Sequence, residues 1–181
     1  MLKITELTHL LLKEIVQEGD YCVDATCGNG HDTLFLAKLV GTTGHVDSYD
    51  IQDLAIDNAK TLTQDFTNIS FVNTSHENIK IKNCKVVLFN LGYLPHGDKK
   101  IHTTKESTIK ALDNLLDQIA DNPLLNIMVV IYPGHDEGLK ESMAIDEWSA
   151  SLDSATYLVM KYQPTNQHRA PYLVTINKKT H

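Results

Sequence analysis

A chain of 181 residues, 42% hydrophobic and 22% charged, has the makeup of one soluble globular domain with a substantial core. A net charge of −7 excludes indiscriminate nucleic-acid binding through the whole surface, and three cysteines without a Cys-x-x-Cys pair exclude a disulfide framework or zinc ribbon. No apolar run is long enough to cross a membrane, and Met1 to Glu6 lacks the features of a signal peptide, so a cytoplasmic, single-domain protein is expected over residues 1–181.

In chain order, Leu7, Leu11 and Ile15, with Leu12 and Val16 beside them, predict a helix over Thr5 to Glu18, stopped by Gly19-Asp20. Tyr21 to Ala25 reads as a short buried strand. A turn with two glycines follows, then a helix from Asp32 to Val40. His45 to Tyr49 is a second strand, closed by Asp50. Gln52 to Asp65 reads as a helix with Ala55, Ala59, Leu62 and Phe66 on one face. Ile69 to Asn73, Val86 to Phe89 and Asn126 to Ile131 are further strands, and Ser107 to Ala120 and Glu137 to Leu152 further helices. Thr156 to Tyr162 and Tyr172 to Ile176 are strands joined by a loop alone.

Alternating strands and helices predict a parallel sheet covered on both faces. The closing pair must be antiparallel, because a parallel crossover needs about a dozen residues or more. The expected fold is therefore α/β and Rossmann-like: a seven-stranded, mostly parallel sheet with the last strand antiparallel and helices on both faces. This pattern resembles that of class I S-adenosylmethionine-dependent methyltransferases.

The turn after the first strand is the candidate cofactor site. Gly28 and Gly30 let the backbone approach a ligand, but Thr33 stands where a dinucleotide fingerprint has its third glycine, and no phosphate-loop lysine follows. Asp24 and Asp32 flank the turn. Two carboxylates there repel a pyrophosphate and favour the ammonium and sulfonium of S-adenosylmethionine. Backbone amides of the turn, at Thr26 and Asn29 among others, suit a carboxylate. Asp50 ends the second strand, where an acid binds ribose hydroxyls, and Gln52 is placed to help. Ser75, His76 or Glu77 would meet the adenine amine, with a solvated loop as the alternative. Cys27 is either a reactive thiol or a small residue filling the turn; Cys22 and Cys84 read as buried.

The fourth strand runs into Asn90-Leu91-Gly92-Tyr93-Leu94-Pro95. This resembles the Asn-Pro-Pro-Tyr motif of amino methyltransferases, with Leu91 and Gly92 in place of the prolines. Methyl transfer is an in-line displacement, so the amine must be held at near-attack distance from the sulfonium. The Asn90 amide oxygen and a backbone carbonyl near Gly92 can accept the amine's protons, and Tyr93 can stack on a base. An ordinary strand-to-loop turn is the competing reading. Only a neutral amine attacks, and His96, Asp98 and His135 are unranked candidates for its base. Tyr132-Pro133-Gly134-His135, after the fifth strand, should stand beside this loop. Seven lysines (80, 82, 85, 99, 100, 105 and 110) between Asn78 and Lys110 face only Asp98 and Glu106, giving either a substrate-facing patch or a solvated edge. Arg169, the only arginine, suits a phosphate or base contact, or a salt bridge. None of the nine histidines sits in a metal-ligand spacing, and no metal is expected.

Together, residues 24–33, Asn90 to Pro95 with Gly97-Asp98-Lys99, Tyr132 to His135 and the Asn166 to Pro171 loop resemble one bacterial methyltransferase family long labelled rRNA methylase. Its members include the enzyme that completes 5-methylaminomethyl-2-thiouridine at the tRNA wobble position. The resemblance implies methyl transfer from S-adenosylmethionine to the primary amine of 5-aminomethyl-2-thiouridine in the anticodon stem-loop. It implies a cofactor lined by Asp24, Gly28, Gly30, Asp50 and Gln52, with Asn90 to Tyr93 at the amine. The lysine-rich segment, with Lys99 and Lys100, would meet the tRNA together with Tyr132, His135 and Arg169. Basic character is modest for such a partner, and a homodimer would supply the rest. The alternatives are an N-methyltransferase acting on rRNA or a small amine, a nucleotide-dependent oxidoreductase and a silent binding module.

Overall fold

The computed structural model describes residues 3–92 and 103–179. Its strands are β1 (Tyr21–Asp24), β2 (His45–Asp50), β3 (Ile69–Asn73), β4 (Cys84–Asn90), β5 (Asn126–Ile131), β6 (Tyr157–Tyr162) and β7 (Tyr172–Lys178). Its helices are α1 (Ile4–Ile15), α2 (His31–Val40), α3 (Asp53–Leu62), α4 (Lys105–Gln118) and α5 (Asp136–Ser151). The strands form one sheet in the order β3-β2-β1-β4-β5-β7-β6, with β7 alone antiparallel to its neighbours. This is the expected architecture.

The central strands are apolar nearly end to end because both their faces are covered. Alternate residues of β4 and β5 supply the two cores. Val87, Phe89, Ile127 and Val129 pack against Leu112 and Leu115 of α4 and Ile145 of α5. Val86, Leu88, Met128 and Val130 pack against Leu12 of α1 and Leu36 of α2. The order turns back at β1, whose neighbours are β2 on one side and β4 on the other. The C-terminal ends of these two halves diverge there and leave a crevice. Because β7 runs against β5, pairing Tyr172 with Ile131, the loop 163–171 returns to this same edge.

Two local readings need correction. The first helix stops at Ile15, not Glu18: Val16 is extended and buried, and the Gln17 N–H donates to the Asp20 carboxylate at 2.8 Å, a turn that competes with another helical bond. In α3, Leu62 is exposed and Ile56 lies in the core with Ala55 and Ala59. Leu62 is the last residue of that helix, and Thr63 after it is the buried one, its hydroxyl donating to the Ala59 carbonyl at 2.8 Å.

Candidate active site

The glycine turn is stitched across three strands. Ala25 N–H donates to Leu88 O of β4, and Cys27 N–H to Tyr49 O of β2, both at 2.8 Å. Gly28 and Gly30 have φ of +51° and +83°, the left-handed region open to glycine at low cost. A Cβ on Gly30 would also lie 2.7 Å from the Ala59 Cα and Cβ, so α3 packs directly on the turn. Gly30 is the N-cap of α2 and offers no side-chain cap to its first-turn N–H groups.

A cavity of about 1030 Å³ opens at the C-terminal ends of the parallel strands. From the glycine side it is lined by Thr26, Gly28, Asn29 and Asp32, and from the β2 and β3 ends by Asp50, Gln52, Ser75 and His76. Asn90, Gly92, Tyr132, His135 and Arg169 line the other side. Asp24 and Gly30 are not in the lining. Tyr93, His96, Asp98, Lys99 and Lys100 lie outside the described residues.

Asp24 requires a different account from the one its charge suggested. It is fully buried and accepts from the Thr33 hydroxyl at 2.6 Å and from Thr26 N–H at 3.1 Å; Thr33 in turn bonds Ser48 at 2.7 Å. Burial pushes its carboxyl up to about 7, and the negative charge of Asp32 adds to this. Asp24 therefore braces the turn from behind, while Asp32 presents its carboxylate at the cavity. Cys27 is buried and its thiol is pushed up to about 12, first by burial and then by Asp24, which makes it a packed small residue and not a nucleophile.

Asp50 accepts one backbone N–H on each oxygen, Gly28 at 2.9 Å and Gln52 at 2.9 Å. Two fixed donors hold the carboxylate in one orientation and leave lone pairs for a ligand. The Ser75 hydroxyl is partly spent in capping a short 3-10 turn, accepting from Glu77 N–H at 3.3 Å. His76 sits edge-on to Phe89 with ring centroids 5.7 Å apart, and burial lowers its pKa. Its Nε2 is buried and has no hydrogen-bond partner among the described residues.

At the end of β4, Asn90 N–H donates to Thr26 Oγ1 at 2.7 Å and its side-chain Nδ2 to Asp32 Oδ2 at 2.9 Å. The Tyr132 hydroxyl meets the same amide; burial and the Asp32 charge push it up to about 12, so it stays protonated. Gly92 does not offer a free carbonyl. Its O accepts from Thr103 N–H at 3.0 Å, and its N–H donates to Thr103 Oγ1 at 3.1 Å. Thr103 is held by the buried Glu141 of α5, which also accepts from Thr108 at 2.6 Å. Gly92 thus acts as an anchor, with φ of +140°.

His135 caps α5, its Nδ1 accepting from Gly138 N–H at 3.0 Å. With that lone pair engaged, a neutral ring carries its proton on Nε2, which argues against His135 as the base. Arg169 is exposed on the cavity rim with φ of +52°. Among the described lysines, Lys85 is the second residue of β4, near the end opposite Asn90, and Lys105 and Lys110 are paired with Glu106 at 3.5 Å and Glu77 at 2.7 Å. Among the described residues no cluster of three metal-ligating side chains exists, and no helix is long and apolar enough to cross a membrane.

Residues 46–178 match the protein family described as "Putative rRNA methylase". The chain belongs to this family. The family relationship extends to a chloroplastic tRNA (mnm(5)s(2)U34)-methyltransferase of Arabidopsis thaliana, 33% identical over 98% of this chain and 70% of that protein. A Clostridium thermocellum protein of the same family name superposes with a TM-score of 0.90 at 38% identity, covering 99% of both chains. A candidate methyltransferase of Streptococcus mutans, solved in complex with SAH, gives 0.85 at 28% identity, again over 99% of both. His9, Thr33, Thr103 and Glu141 are the site-supporting residues that sequence reasoning missed. Each acts through a side-chain bond to a distant element, which leaves no periodic trace.

Proposed function

We propose that this chain transfers a methyl group from S-adenosylmethionine to the primary amine of 5-aminomethyl-2-thiouridine at the tRNA wobble position. The product is 5-methylaminomethyl-2-thiouridine. The observation that carries the reading is Asn90: Asp32 takes its Nδ2, which turns Oδ1 away from Asp32 as an acceptor in the same cavity as the glycine turn. An amine nitrogen is such a donor, and the family relationship to a wobble-uridine enzyme supports this acceptor.

The residues present fit the cofactor. Asp50, already oriented by two N–H groups, suits the ribose hydroxyls, and Ser75 and His76 line the cavity on the side where the adenine would lie. The N–H groups of the first turn of α2, which Gly30 leaves without a side-chain cap, suit the methionine carboxylate, and Asp32 the adjacent positive charge; the Thr26 and Gly28 N–H groups are already taken by Asp24 and Asp50. When bound, S-adenosylmethionine supplies the electrophilic methyl. Asn90 accepts the amine's N–H and aims its lone pair, Tyr132 buttresses the amide, and Arg169 at the rim meets RNA phosphate or base. We assign the protein to the cytoplasm as a single catalytic domain acting on the anticodon stem-loop.

Nucleoside mass spectrometry on an anticodon stem-loop carrying 5-aminomethyl-2-thiouridine tests this. Purified protein with S-adenosylmethionine should convert it to the methylated nucleoside, and Asn90→Ala should abolish conversion while still binding S-adenosylhomocysteine by calorimetry. Methylation of rRNA or free amines with none on the stem-loop would overturn the assignment.

A further inference from the structure

His9 of α1 lies outside every motif that marks the site, yet it touches the residue that orients Asn90. Its Nε2 is 2.7 Å from Asp32 Oδ1, while Asp32 Oδ2 accepts from Asn90 Nδ2 at 2.9 Å. One carboxylate therefore bridges an imidazole and the candidate catalytic amide, using a different oxygen for each. Asp32 can only accept, so His9 must donate from Nε2 and Asn90 must present its NH2. That fixes the amide's orientation: Nδ2 towards Asp32 and Oδ1 away from it.

The bridge is held on both sides. The His9 ring stacks on Phe35, with centroids 3.8 Å apart and planes 9° from parallel. Phe35 follows Asp32 by three positions on α2, so one helix face presents both the ring and the carboxylate to His9. The side chains of His9 and Asp32 are only 30% and 15% exposed, which limits competition from water. Asp32 also lies near enough to the buried Asp24 for its charge to act on that carboxyl.

We propose that His9 is a positioning residue for the methyl-transfer step: its Nε2–H locks Asp32, and through Asp32 it holds Asn90 with Oδ1 facing the acceptor amine. This rests on the assignment of Asn90 to the amine. A purely structural His9 would staple α1 to α2 through its ring and leave Asn90 unaffected.

Two substitutions separate these roles. His9→Gln keeps an N–H donor near the Nε2 position and loses the ring; His9→Phe keeps the ring on Phe35 and loses the donor. Positioning predicts that His9→Phe folds normally, loses up to about 100-fold in kcat and keeps its affinity for S-adenosylhomocysteine, whereas His9→Gln retains most of its kcat. The Asn90 side-chain amide protons, assigned by NMR, should be protected from exchange in the unsubstituted protein and in His9→Gln and lose protection in His9→Phe. That signal is read without turnover, so it tests the bridge even if the stem-loop proves not to be the substrate. Full activity and unchanged amide protection in His9→Phe, or a loss that follows the ring and not the donor, would overturn the proposal.

Discussion

Replacing Asp24 by Asn should make the protein more stable above neutral pH. Asp24 is fully buried, with Thr33 and Thr26 as its hydrogen-bond donors and Asp32 close by. Its carboxyl is pushed from 3.8 up to about 7. Because the folded value is raised, the folded state keeps a proton between about pH 4 and 7 that the unfolded chain has lost. Stability from this group therefore falls as pH rises through that window, and the full cost is present above it. At 1.36 kcal/mol per pH unit the cost reaches roughly 4 kcal/mol, an upper bound that relaxation around the carboxylate reduces. An asparagine keeps the local bonds: Oδ1 accepts from Thr26 N–H, and Nδ2 donates to Thr33, whose own proton turns to Ser48. Urea unfolding of both proteins at about pH 5 and about pH 8 reads the difference. Asp24→Asn should gain a few kcal/mol at the higher pH and much less at the lower. A variant less stable at pH 8, or one offset equally at both pH values, would refute this account of Asp24.

Gly30→Ala should cost about 2–3 kcal/mol, because its left-handed φ and the 2.7 Å approach to Ala59 both resist a Cβ; calorimetry should show weaker S-adenosylhomocysteine binding alongside the lowered melting temperature. Glu141→Ala strands the Thr103 and Thr108 hydroxyls and should destabilise by about 3 kcal/mol in denaturant titration, with a loss of kcat as the Gly92 anchor loosens. All three thiols are buried, so a thiol reagent should label none in the native protein and all three after unfolding. Arg169→Glu should raise KM for the stem-loop and flatten its salt dependence, with S-adenosylhomocysteine affinity unchanged.

Sequence reasoning succeeded where one-dimensional pattern carries the physics. The apolar runs of β4 and β5 announce central strands, and a strand that ends in Asn90 places that amide at the ligand-bearing edge whatever the details of packing. It failed where the deciding contact joins distant positions. The charge on Asp24 suggested a partner for a cation, but its direction depends on Thr33, which in the sequence registered only as a missing glycine. The Thr103–Glu141 pair spans 38 positions and the His9–Asp32 pair 23, across unrelated elements. The lysine-rich stretch shows the limit of counting charge along the chain: β4 carries Lys85 and Asn90 near opposite ends, so these two neighbours in sequence lie at opposite edges of the sheet.

The reversal of strand order at β1 also bears on how such a protein can change its substrate. Everything that suits the methyl donor hangs from β1, β2 and β3, and everything that suits the acceptor from β4, β5 and the β6–β7 loop. Side chains join the two halves at the seam through Asn90 N–H on Thr26 and Asn90 Nδ2 on Asp32. Loops on the acceptor half can lengthen, shorten or exchange residues without disturbing the donor half, provided Asn90 stays docked. The seam thus divides the molecule into a donor half and an acceptor half, and Asn90 is bonded across it by both its backbone and its side chain.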